Sequence, residues 1–322
     1  MHAPVKISVV IPVLNEEESL RELASRLESV LDTIAMHAYE VLFIDDGSTD
    51  NSYRVLQELH QMNPRLHAIR FRRNYGKSAA LAVGFARAEG EIVITMDADL
   101  QDDPQEIPAL CAKLAEGYDL VSGWKKKRYD PWHKTLPSKL FNLVTSYMSG
   151  IRLHDFNCGL KAYRREVVKA LTIYGDMHRY IPALAHWEGF RVTEIAVQHH
   201  PRRFGVSKFG AKRFMTGFLD LLTVLFTTKY VKRPLHLFGS IGTIMLLAGI
   251  GIEATLTVEW VLGKTYFSNR PLTLLGMLLI IVGVQLISMG LLGELLVKNS
   301  ATGRTQYRIR EQTQRRDHCS TE

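Results

Sequence analysis

The hydrophobic positions follow two different patterns, and the change between them divides the chain. Up to about residue 230, short apolar runs rich in β-branched residues alternate with stretches of helical periodicity. This alternation predicts an α/β domain with a parallel sheet. The predicted strands are residues 6–13, 39–45, 66–71 and 91–97. The predicted helices are residues 17–35, 51–61, 76–88 and 105–116, with Asp50 and Asp103 as start signals.

The last third of the chain is apolar on all sides. Residues 271–293 carry no charge over 23 positions, which is long enough to cross a hydrocarbon core of roughly 30 Å. Residues 237–252 are also uncharged, but a full span there must include Glu253, which we expect near the far interface, where it reaches water. The pattern predicts a hairpin of two transmembrane helices within residues 231–298, at about 235–257 and 271–295.

The flanks of this hairpin predict its orientation. Basic residues precede the first span and follow the second, whereas the loop between them holds only Lys264 and Arg270. The positive-inside rule therefore places both termini, the catalytic domain (residues 1–211) and the basic tail (residues 299–322) in the cytoplasm, at the inner membrane. Residues 212–230 carry bulky apolar side chains with basic ends, typical of an amphipathic helix in the membrane interface or of a buried core helix.

Composition narrows the functional classes. A hydrophobic content of 46% over 322 residues excludes a disordered chain, and the net charge of +7 favours an anionic partner. Nucleic acid, lipid headgroups and phosphorylated substrates all fit that charge, but a nucleic-acid binder leaves the apolar spans unexplained. Three widely spaced cysteines without metal-ligand spacing predict reduced thiols, no disulfide and no zinc site. The N-terminus lacks the pattern of a signal peptide.

Polar residues gather where the predicted strands end. Asn15, Asp45 and Asp97 follow three of these strands, and four aspartates fall within seven positions from Asp97 onward. In an extended segment, Asp97, Asp99 and Gln101 would point the same way and present two carboxylates and an amide oxygen to one point. Mg²⁺ or Mn²⁺ takes such oxygen ligands together with substrate phosphates. The alternative is ordinary turn and helix-cap chemistry.

Four motifs together resemble a known family. They are "SVVIPVLNEEESL" (8–20), "VLFIDDGSTDNS" (41–52), "RNYGKSAALAVGF" (73–85) and "MDADLQDDPQEIP" (96–108). In this order they resemble the inverting glycosyltransferases of family 2, which have the GT-A fold: a Rossmann-like, mostly parallel sheet flanked by helices. The likeness is greatest to the polyprenyl-phosphate branch, which includes dolichol-phosphate mannose synthase and bacterial undecaprenyl-phosphate glucose and aminoarabinose transferases. Bacterial members of that branch often add a C-terminal transmembrane pair.

The resemblance implies a donor site at the strand ends. It implies that Asp45 reads the base or ribose, that Asp46 and Gly47 shape the following turn, and that Lys77 begins a helix facing the diphosphate, although Lys77 fits a solvated first-turn residue equally well. The implied metal ligands for Mg²⁺ or Mn²⁺ are Asp97, Asp99 and Gln101. The implied nucleotide-sugar-binding residues are Pro12, Val13, Asn15, Glu16, Asp45, Asp46, Asn74, Lys77, Asp97, Ala98 and Asp99.

The resemblance also implies an acceptor site. Within "LHDFNCGLKAYRREV" (153–167), Asp155 matches an acid that faces the acceptor, so Asp155 and Asp99 are the candidate catalytic residues. A phosphate acceptor is already mostly ionised at neutral pH, so Asp155 acts either as a general base or by orienting sugar hydroxyls. Asn157 stands where family members often have Arg, which leaves the donor contacts there open. The implied acceptor-phosphate ligands are Lys125, Arg128, Arg202, Arg203, Ser207 and Lys208.

The expected reaction is inverting transfer of a sugar from a UDP- or GDP-sugar to the phosphate of a membrane polyprenyl phosphate. Two alternatives remain: a membrane glycosyltransferase that extends a saccharide, and a non-catalytic nucleotide-sugar-binding membrane subunit. Against the first, the chain has no Q-x-x-R-W element and only two spans. For the basic run 125–128, a solvated or headgroup-binding patch remains the alternative to a substrate contact. Bacterial relatives assemble through their membrane helices, so we expect a homotetramer.

Overall fold

The computed structural model forms two compact units, Met1–Val224 and Leu225–Glu322, and each is described by itself. The structure describes residues 5–126, 142, 145–146, 149–175, 177–201, 234–263 and 271–300, with only the backbone for 297–300. The predicted amphipathic helix (212–230) and residues 301–322 of the basic tail lie outside the described residues. The boundary predicted at residue 211 stays a prediction.

The first unit is built on a seven-stranded sheet with the strand order β3-β2-β1-β4-β6-β5-β7. Within it, β6 pairs antiparallel with β4 and β5, and every other pairing is parallel. The predicted mostly parallel sheet is therefore confirmed. The strands are β1 (Ile7–Val13), β2 (Tyr39–Asp45), β3 (Leu66–Arg70), β4 (Ile92–Thr95), β5 (Leu120–Lys125), β6 (Lys161–Arg164) and β7 (Val192–Val197).

The helices alternate with the strands, as the periodicity predicts. Asp50 accepts from Ser52 N at 3.0 Å, and Asp103 accepts from Gln105 N at 3.0 Å, so both predicted start signals hold a first-turn amide. A 3-10 turn (Pro104–Glu106) follows Asp103 and leads into α4, and a second (Met177–Arg179) precedes α6. The helices are α1 (Leu20–Ala35), α2 (Ser52–Met62), α3 (Lys77–Arg87), α4 (Ile107–Ala115), α5 (Arg165–Ala170) and α6 (Ile181–Trp187).

The core of this unit lies around β1 and β2, which are apolar on both faces because helices cover both sides of the sheet. Parallel pairing sets Val13 beside Asp45 and Val10 beside Thr95. The loops that follow β1, β2 and β4 therefore meet at one edge of the sheet, which we call the carboxyl edge. Such an edge is where open α/β sheets bind ligands.

The second unit contains two long helices, α7 (Pro234–Val261) and α8 (Pro271–Ser300). Both are long and apolar enough to cross a membrane. They pack antiparallel through two pairs of glycines: a Cβ on Gly242 would lie 2.7 Å from the carbonyl oxygen of Gly283, and a Cβ on Gly249 would lie 2.7 Å from that of Gly276. The pairs are seven residues apart on each helix, so they lie on one face and let the two backbones touch.

One detail of this hairpin differs from the expectation. The helix α7 continues to Val261, past the predicted end at residue 257, so Glu253 does not lie at a helix end. Its Oε1 is buried against Gly276 and has no hydrogen-bond partner among the described residues. The small size of Gly276 leaves room for this oxygen between the helices, whereas the sequence pattern predicts a carboxylate that turns to water.

Candidate active site

Asp46 links the loops of the carboxyl edge to one another by hydrogen bonds. Its backbone N–H donates to Val13 O at 2.8 Å, and its two carboxylate oxygens accept from Tyr75 N at 2.7 Å and Gly76 N at 2.9 Å. Both oxygens are thus used by the segment that leads into α3. Asp46 was predicted as a nucleotide-sugar ligand as well as a turn-shaping residue, and its contacts are those of the second role.

Gly47 allows this close approach. Its φ of +75° lies in the left-handed region, and a Cβ there would lie 2.6 Å from the backbone carbon of Arg73. Any side chain would therefore push the loop after β2 away from the loop before α3. The turn predicted for Asp46 and Gly47 has this physical basis.

Asp45 is fully buried at the end of β2. Its Oδ1 accepts from Ser48 N at 2.8 Å, and its Oδ2 lies 3.2 Å from Arg70 Nε. Arg70, at the end of β3, was not among the predicted site residues. The role of Asp45 in reading the base or ribose stays a prediction, and a nucleotide there would meet Arg70 as well.

The loop after β1 is joined to the loop after β2. Asn15, with φ of +55°, donates its backbone N–H to Ser48 Oγ at 3.0 Å and accepts from Thr49 N through its side-chain oxygen at 2.8 Å. Glu16 donates its backbone N–H to Ser52 Oγ at 2.9 Å. Of the other predicted donor residues, Val13 and Ala98 are buried and Asn74 is exposed.

Asp97 and Lys77 form an ion pair where β4 ends and α3 begins. Burial alone would raise the pKa of Asp97, but the charges of Lys77 and then Lys125 and Lys161 hold this pKa well below its usual range. Asp97 is therefore a carboxylate at neutral pH. A Cβ on Gly159 would lie 2.7 Å from the Asp97 carboxyl group, so the absent side chain of Gly159 leaves the space that Asp97 occupies.

The acidic loop (residues 97–103) is not extended throughout. Leu100 has φ of +59°, so the chain turns between Asp99 and Gln101, and the simple alternation assumed from the sequence does not hold there. Asp99 is 8% exposed and accepts from Gln101 N at 3.2 Å, while the Gln101 side-chain amide donates to His200 O at 3.4 Å. The ligand set of Asp97, Asp99 and Gln101 stays a prediction.

The donor set of this loop nevertheless suits a divalent cation that shares its shell with phosphates. In the part of the chain that the structure describes, no group of three or more His, Cys, Asp or Glu side chains could hold a metal ion. Mg²⁺ and related ions typically need only one or two carboxylates when water and substrate phosphates complete the shell. Asp97, kept ionised and bordering a cavity, meets that requirement.

Lys125 points toward the acidic loop. Its Nζ lies 2.9 Å from Oδ1 of Asp102, a buried residue that sequence reasoning did not select. Burial would lower the pKa of Lys125, but Asp102, followed by Cys158 and Asp97, raises it above its usual value. Lys125 is thus an internal counter-ion of this loop, and its predicted contact with an acceptor phosphate stays a prediction.

Asp155 is 1% exposed and lies inside the loop that precedes β6. Its Oδ1 accepts from Asn157 N at 3.0 Å. Asn142 holds the same loop, because its side chain donates to His154 O at 2.8 Å and accepts from Phe156 N at 3.4 Å. A carboxylate in this position orders the loop 155–157 beside Gly159.

The segment after β7 runs along the acidic loop. His200 donates its backbone N–H to Gln101 O at 2.9 Å, and its Nε2 lies 2.9 Å from Asp103 Oδ2. Burial would raise the pKa of Asp103, but the hydrogen bond from His200 lowers it. This segment brings Pro201, the first residue of the basic element, close to the acidic loop. The predicted acceptor ligands Arg128, Arg202, Arg203, Ser207 and Lys208 lie outside the described residues.

A small cavity adjoins Asp97, and sequence reasoning missed most of its polar lining. The one sequence signal for this lining was Lys161, a lysine flanked by apolar residues in "CGLKAY". Another lining residue, Cys158, is a neutral thiol, because burial raises its pKa to about 12. Neither Cys158 nor Cys111 forms a disulfide. The lining residues are Pro12, Lys77, Leu81, Thr95, Met96, Asp97, Asn157, Cys158, Gly159, Lys161, Tyr163, His178 and Ile181.

Solved structures with the same architecture are glycosyltransferases. Glucosyl-3-phosphoglycerate synthase from Mycobacterium tuberculosis, in complex with Mn²⁺, UDP-glucose and phosphoglyceric acid, is 19% identical with a TM-score of 0.53, covering 68% of this chain and 80% of that one. Mannosyl-3-phosphoglycerate synthase from Rubrobacter xylanophilus is 15% identical with a TM-score of 0.55, covering 70% and 75%. These likenesses establish the GT-A fold of the first unit.

The amino-acid sequence identifies the family independently. Residues 8–172, just over half of the chain, match the model of Glycosyl transferase family 2. This range contains the three loops of the carboxyl edge, including the acidic loop, together with Asp155 and all of the cavity lining except His178 and Ile181. The chain therefore belongs to glycosyltransferase family 2 and is an enzyme that transfers a sugar from a nucleotide-sugar donor.

Proposed function

We propose that the protein transfers a sugar, with inversion, from a UDP- or GDP-sugar to the phosphate of a membrane polyprenyl phosphate, with Mg²⁺ or Mn²⁺ as cofactor. The observation that carries the donor half of this proposal is the Asp97–Lys77 pair at the carboxyl edge. An ionised carboxylate beside a lysine at the start of a helix provides a place both for a cation and for a diphosphate.

The cation would be held by Asp97, Asp99 and Gln101 in this proposal. The solved synthase from Mycobacterium tuberculosis likewise contains Mn²⁺ together with UDP-glucose. When bound, it supplies positive charge to the departing diphosphate, the electrostatic contribution that usually dominates such catalysis. Lys77, at the start of α3, would bind a diphosphate oxygen in this proposal. Lys125 stays with Asp102 and keeps the acidic loop in place.

The lipid acceptor is inferred from the second unit. Only 11% and 17% of the most apolar stretches of α7 and α8 are buried, whereas the core helix of a soluble protein is mostly buried. Their exposed leucine and isoleucine side chains match a hydrocarbon environment. A membrane-anchored transferase meets an acceptor confined to the bilayer at a raised effective concentration. The two solved relatives are phosphoglycerate glycosyltransferases, so their acceptors do not support this half of the proposal.

Asp155 acts in this proposal by positioning. The acceptor phosphate group has a second pKa near 6, so its attacking oxygen is already mostly ionised at neutral pH and needs no strong base. The buried Asp155 holds the backbone of Asn157, close to Gly159 and Asp97. Asp155→Ala, which removes the oxygen that accepts from Asn157 N, would therefore misplace this loop and reduce turnover without shifting the acidic limb of the pH profile. The proposal also includes a cytoplasmic location for both termini and a homotetrameric assembly.

The test measures transfer of label from UDP-[¹⁴C]glucose and GDP-[¹⁴C]mannose into organic-extractable lipid by membranes that contain the full-length chain. We expect lipid-linked label that EDTA abolishes and Mn²⁺ restores, and a loss of at least a hundredfold in Asp97→Asn, as for removal of one electrostatic contact in a transition state. The matched control is Asp119→Asn, which changes an acid outside the carboxyl edge.

Other outcomes of this assay contradict the proposal. Label that accumulates in polymer indicates a saccharide-extending enzyme. Donor binding without transfer to lipid or polymer indicates a non-catalytic subunit. Lipid labelling that persists in EDTA removes the role of the metal ion.

A further inference from the structure

Lys161 is a buried basic residue whose hydrogen bonding is incomplete. It lies at the start of β6, opposite Thr95, and is 3% exposed. Its Nζ donates to Cys158 O, and this is its one hydrogen-bond acceptor among the described residues. A lysine amino group has three N–H donors when charged and two when neutral, so in either form a donor remains without an acceptor. Lysine is almost never fully buried unless it is paired, and a buried donor without an acceptor destabilises the fold.

The charge of Lys161 is only partly compensated. Burial lowers the pKa of this lysine, and Cys158, Asp155 and Asp97 oppose that effect without cancelling it. Two acids of opposite charge are therefore near, yet neither accepts a hydrogen bond from Nζ. What the site lacks is a nearby oxygen acceptor, and a neutral hydroxyl group supplies one as well as a phosphate does.

The cavity beside Asp97 is the space that an acceptor would occupy. Lys161 lines it together with Lys77, Asp97 and His178, and the cavity has room for about one water-sized group. Ser78 fixes His178, because its hydroxyl accepts from His178 N at 3.0 Å and lies 3.0 Å from Nδ1. Polar groups from α3, β6 and the turn before α6 thus converge on one small volume.

The position of the cavity identifies the part of the donor that enters it. A donor diphosphate is neutralised by Lys77 and the cation at Asp97, which line the same cavity from one side. Lys161 lies on β6, next to the strand that ends before Asp97, so a group reaching it comes from a ligand already seated at Asp97. In a nucleotide-sugar that group is a substituent of the sugar ring.

We infer that Lys161 is a donor-contacting and specificity-determining residue, whose remaining N–H groups bind a hydroxyl group of the transferred sugar in the cavity beside Asp97. The inference rests on the donor half of the proposed function and not on the acceptor. It assigns to Lys161 a contact with the sugar, separate from the diphosphate contacts of Lys77.

The test compares binding of a nucleoside diphosphate with binding of its sugar conjugate. Titration calorimetry on the full-length chain with Mn²⁺ measures affinities for UDP and UDP-glucose, and for GDP and GDP-mannose. Lys161→Met keeps the length of the side chain and removes its donors. We expect the affinity for the sugar conjugate that binds wild type to fall about tenfold, as for loss of a charged hydrogen bond, with the diphosphate affinity changed less than twofold.

Two further variants keep the test decisive. Lys113→Met changes a lysine on α4 that pairs with Glu116 away from the cavity, and should leave every affinity unchanged. Lys161→Arg keeps a basic side chain with N–H donors at this position, so it tests the same contact if the methionine variant fails to fold. Because arginine overfills a water-sized cavity, we again expect weaker binding of the sugar conjugate alone.

The contrary results are distinct. Equal weakening of diphosphate and sugar conjugate would place Lys161 on the diphosphate and overturn the inference, as would no change in either affinity. If the wild-type protein binds neither UDP and UDP-glucose nor GDP and GDP-mannose, both the inference and the proposed donor site are wrong. A failure to glycosylate lipid would leave the inference standing, because no acceptor is present in these titrations.

Discussion

In the proposed function, Lys77 and a divalent cation compete for Asp97. In the ligand-free chain the ammonium of Lys77 pairs with the carboxylate that the proposed function gives to the metal ion. Removing the ammonium frees this carboxylate but also removes a cation from the diphosphate site. The same substitution should therefore change metal binding and nucleotide binding in opposite directions.

We predict that Lys77→Met tightens Mn²⁺ binding without nucleotide, by roughly fivefold for a partly exposed pair, and weakens binding of the nucleoside diphosphate. Electron paramagnetic resonance of free Mn²⁺ measures the first effect and calorimetry the second, with Lys113→Met as the control. Lys77 holds the pKa of Asp97 low, so the variant raises this pKa, and its Mn²⁺ affinity should begin to fall at a higher pH on acidification. Unchanged or weaker Mn²⁺ binding would show that Lys77 does not compete with the cation.

Sequence reasoning found the residues at the carboxyl edge but not their partners. Asp45 and Asp97 follow strands of clear apolar pattern, so their place on the sheet could be predicted. The contacts of Arg70 and Lys161 could not be predicted, because each approaches a site residue from a separate strand and local sequence does not show which residue it will face. The turn at Leu100 was also missed, since a leucine with positive φ has no signature in the sequence.

At the scale of elements, the first four strands were predicted to within a few residues and the last three were not predicted. The strands β1 and β2 are continuous apolar runs buried on both faces, a pattern that needs no partner to be recognised. By contrast, β6 has four residues, begins with Lys161 and runs antiparallel, and β7 is largely half-buried. Their place in the sheet comes from long-range pairing, which local patterns do not encode.

The glycine pairs of the hairpin give a prediction about helix packing. Gly242→Leu would place a branched side chain where a Cβ alone lies 2.7 Å from the Gly283 carbonyl oxygen, so the helices must separate. We expect a loss of about 1–3 kcal/mol, the usual cost of overpacking, seen as a lower unfolding temperature in detergent micelles. Gly251→Leu is the matched control, since no neighbour lies within 4 Å of a Cβ there. Equal effects of the two substitutions would refute close packing at Gly242.

At the scale of the whole molecule, two groups of basic residues contribute to the net charge of +7. Lys77, Lys125 and Lys161 lie around the acidic loop, where they offset buried carboxylates. A second group of basic residues flanks the apolar spans in the sequence, in "TKYVKRP" (228–234) and "VKNSATGR" (297–304). In the proposed function, the first group serves the chemistry of the site, and we expect the second to orient the hairpin in the membrane.

This second group of basic residues predicts the orientation of the chain in the membrane. Because basic flanks remain in the cytoplasm, a fluorescent protein fused to the C-terminus should fluoresce in a bacterial host, and alkaline phosphatase inserted in the loop 264–270 should be active. Replacing Lys229, Lys232 and Arg233 with Gln should lower the phosphatase activity, since it weakens the charge difference that orients the first span. The tail would lie outside the cytoplasm if the fluorescent protein fused to the C-terminus is dark and alkaline phosphatase fused there instead is active. Because the donor nucleotides are made in the cytoplasm, that outcome would also contradict the proposed transfer from a nucleotide-sugar.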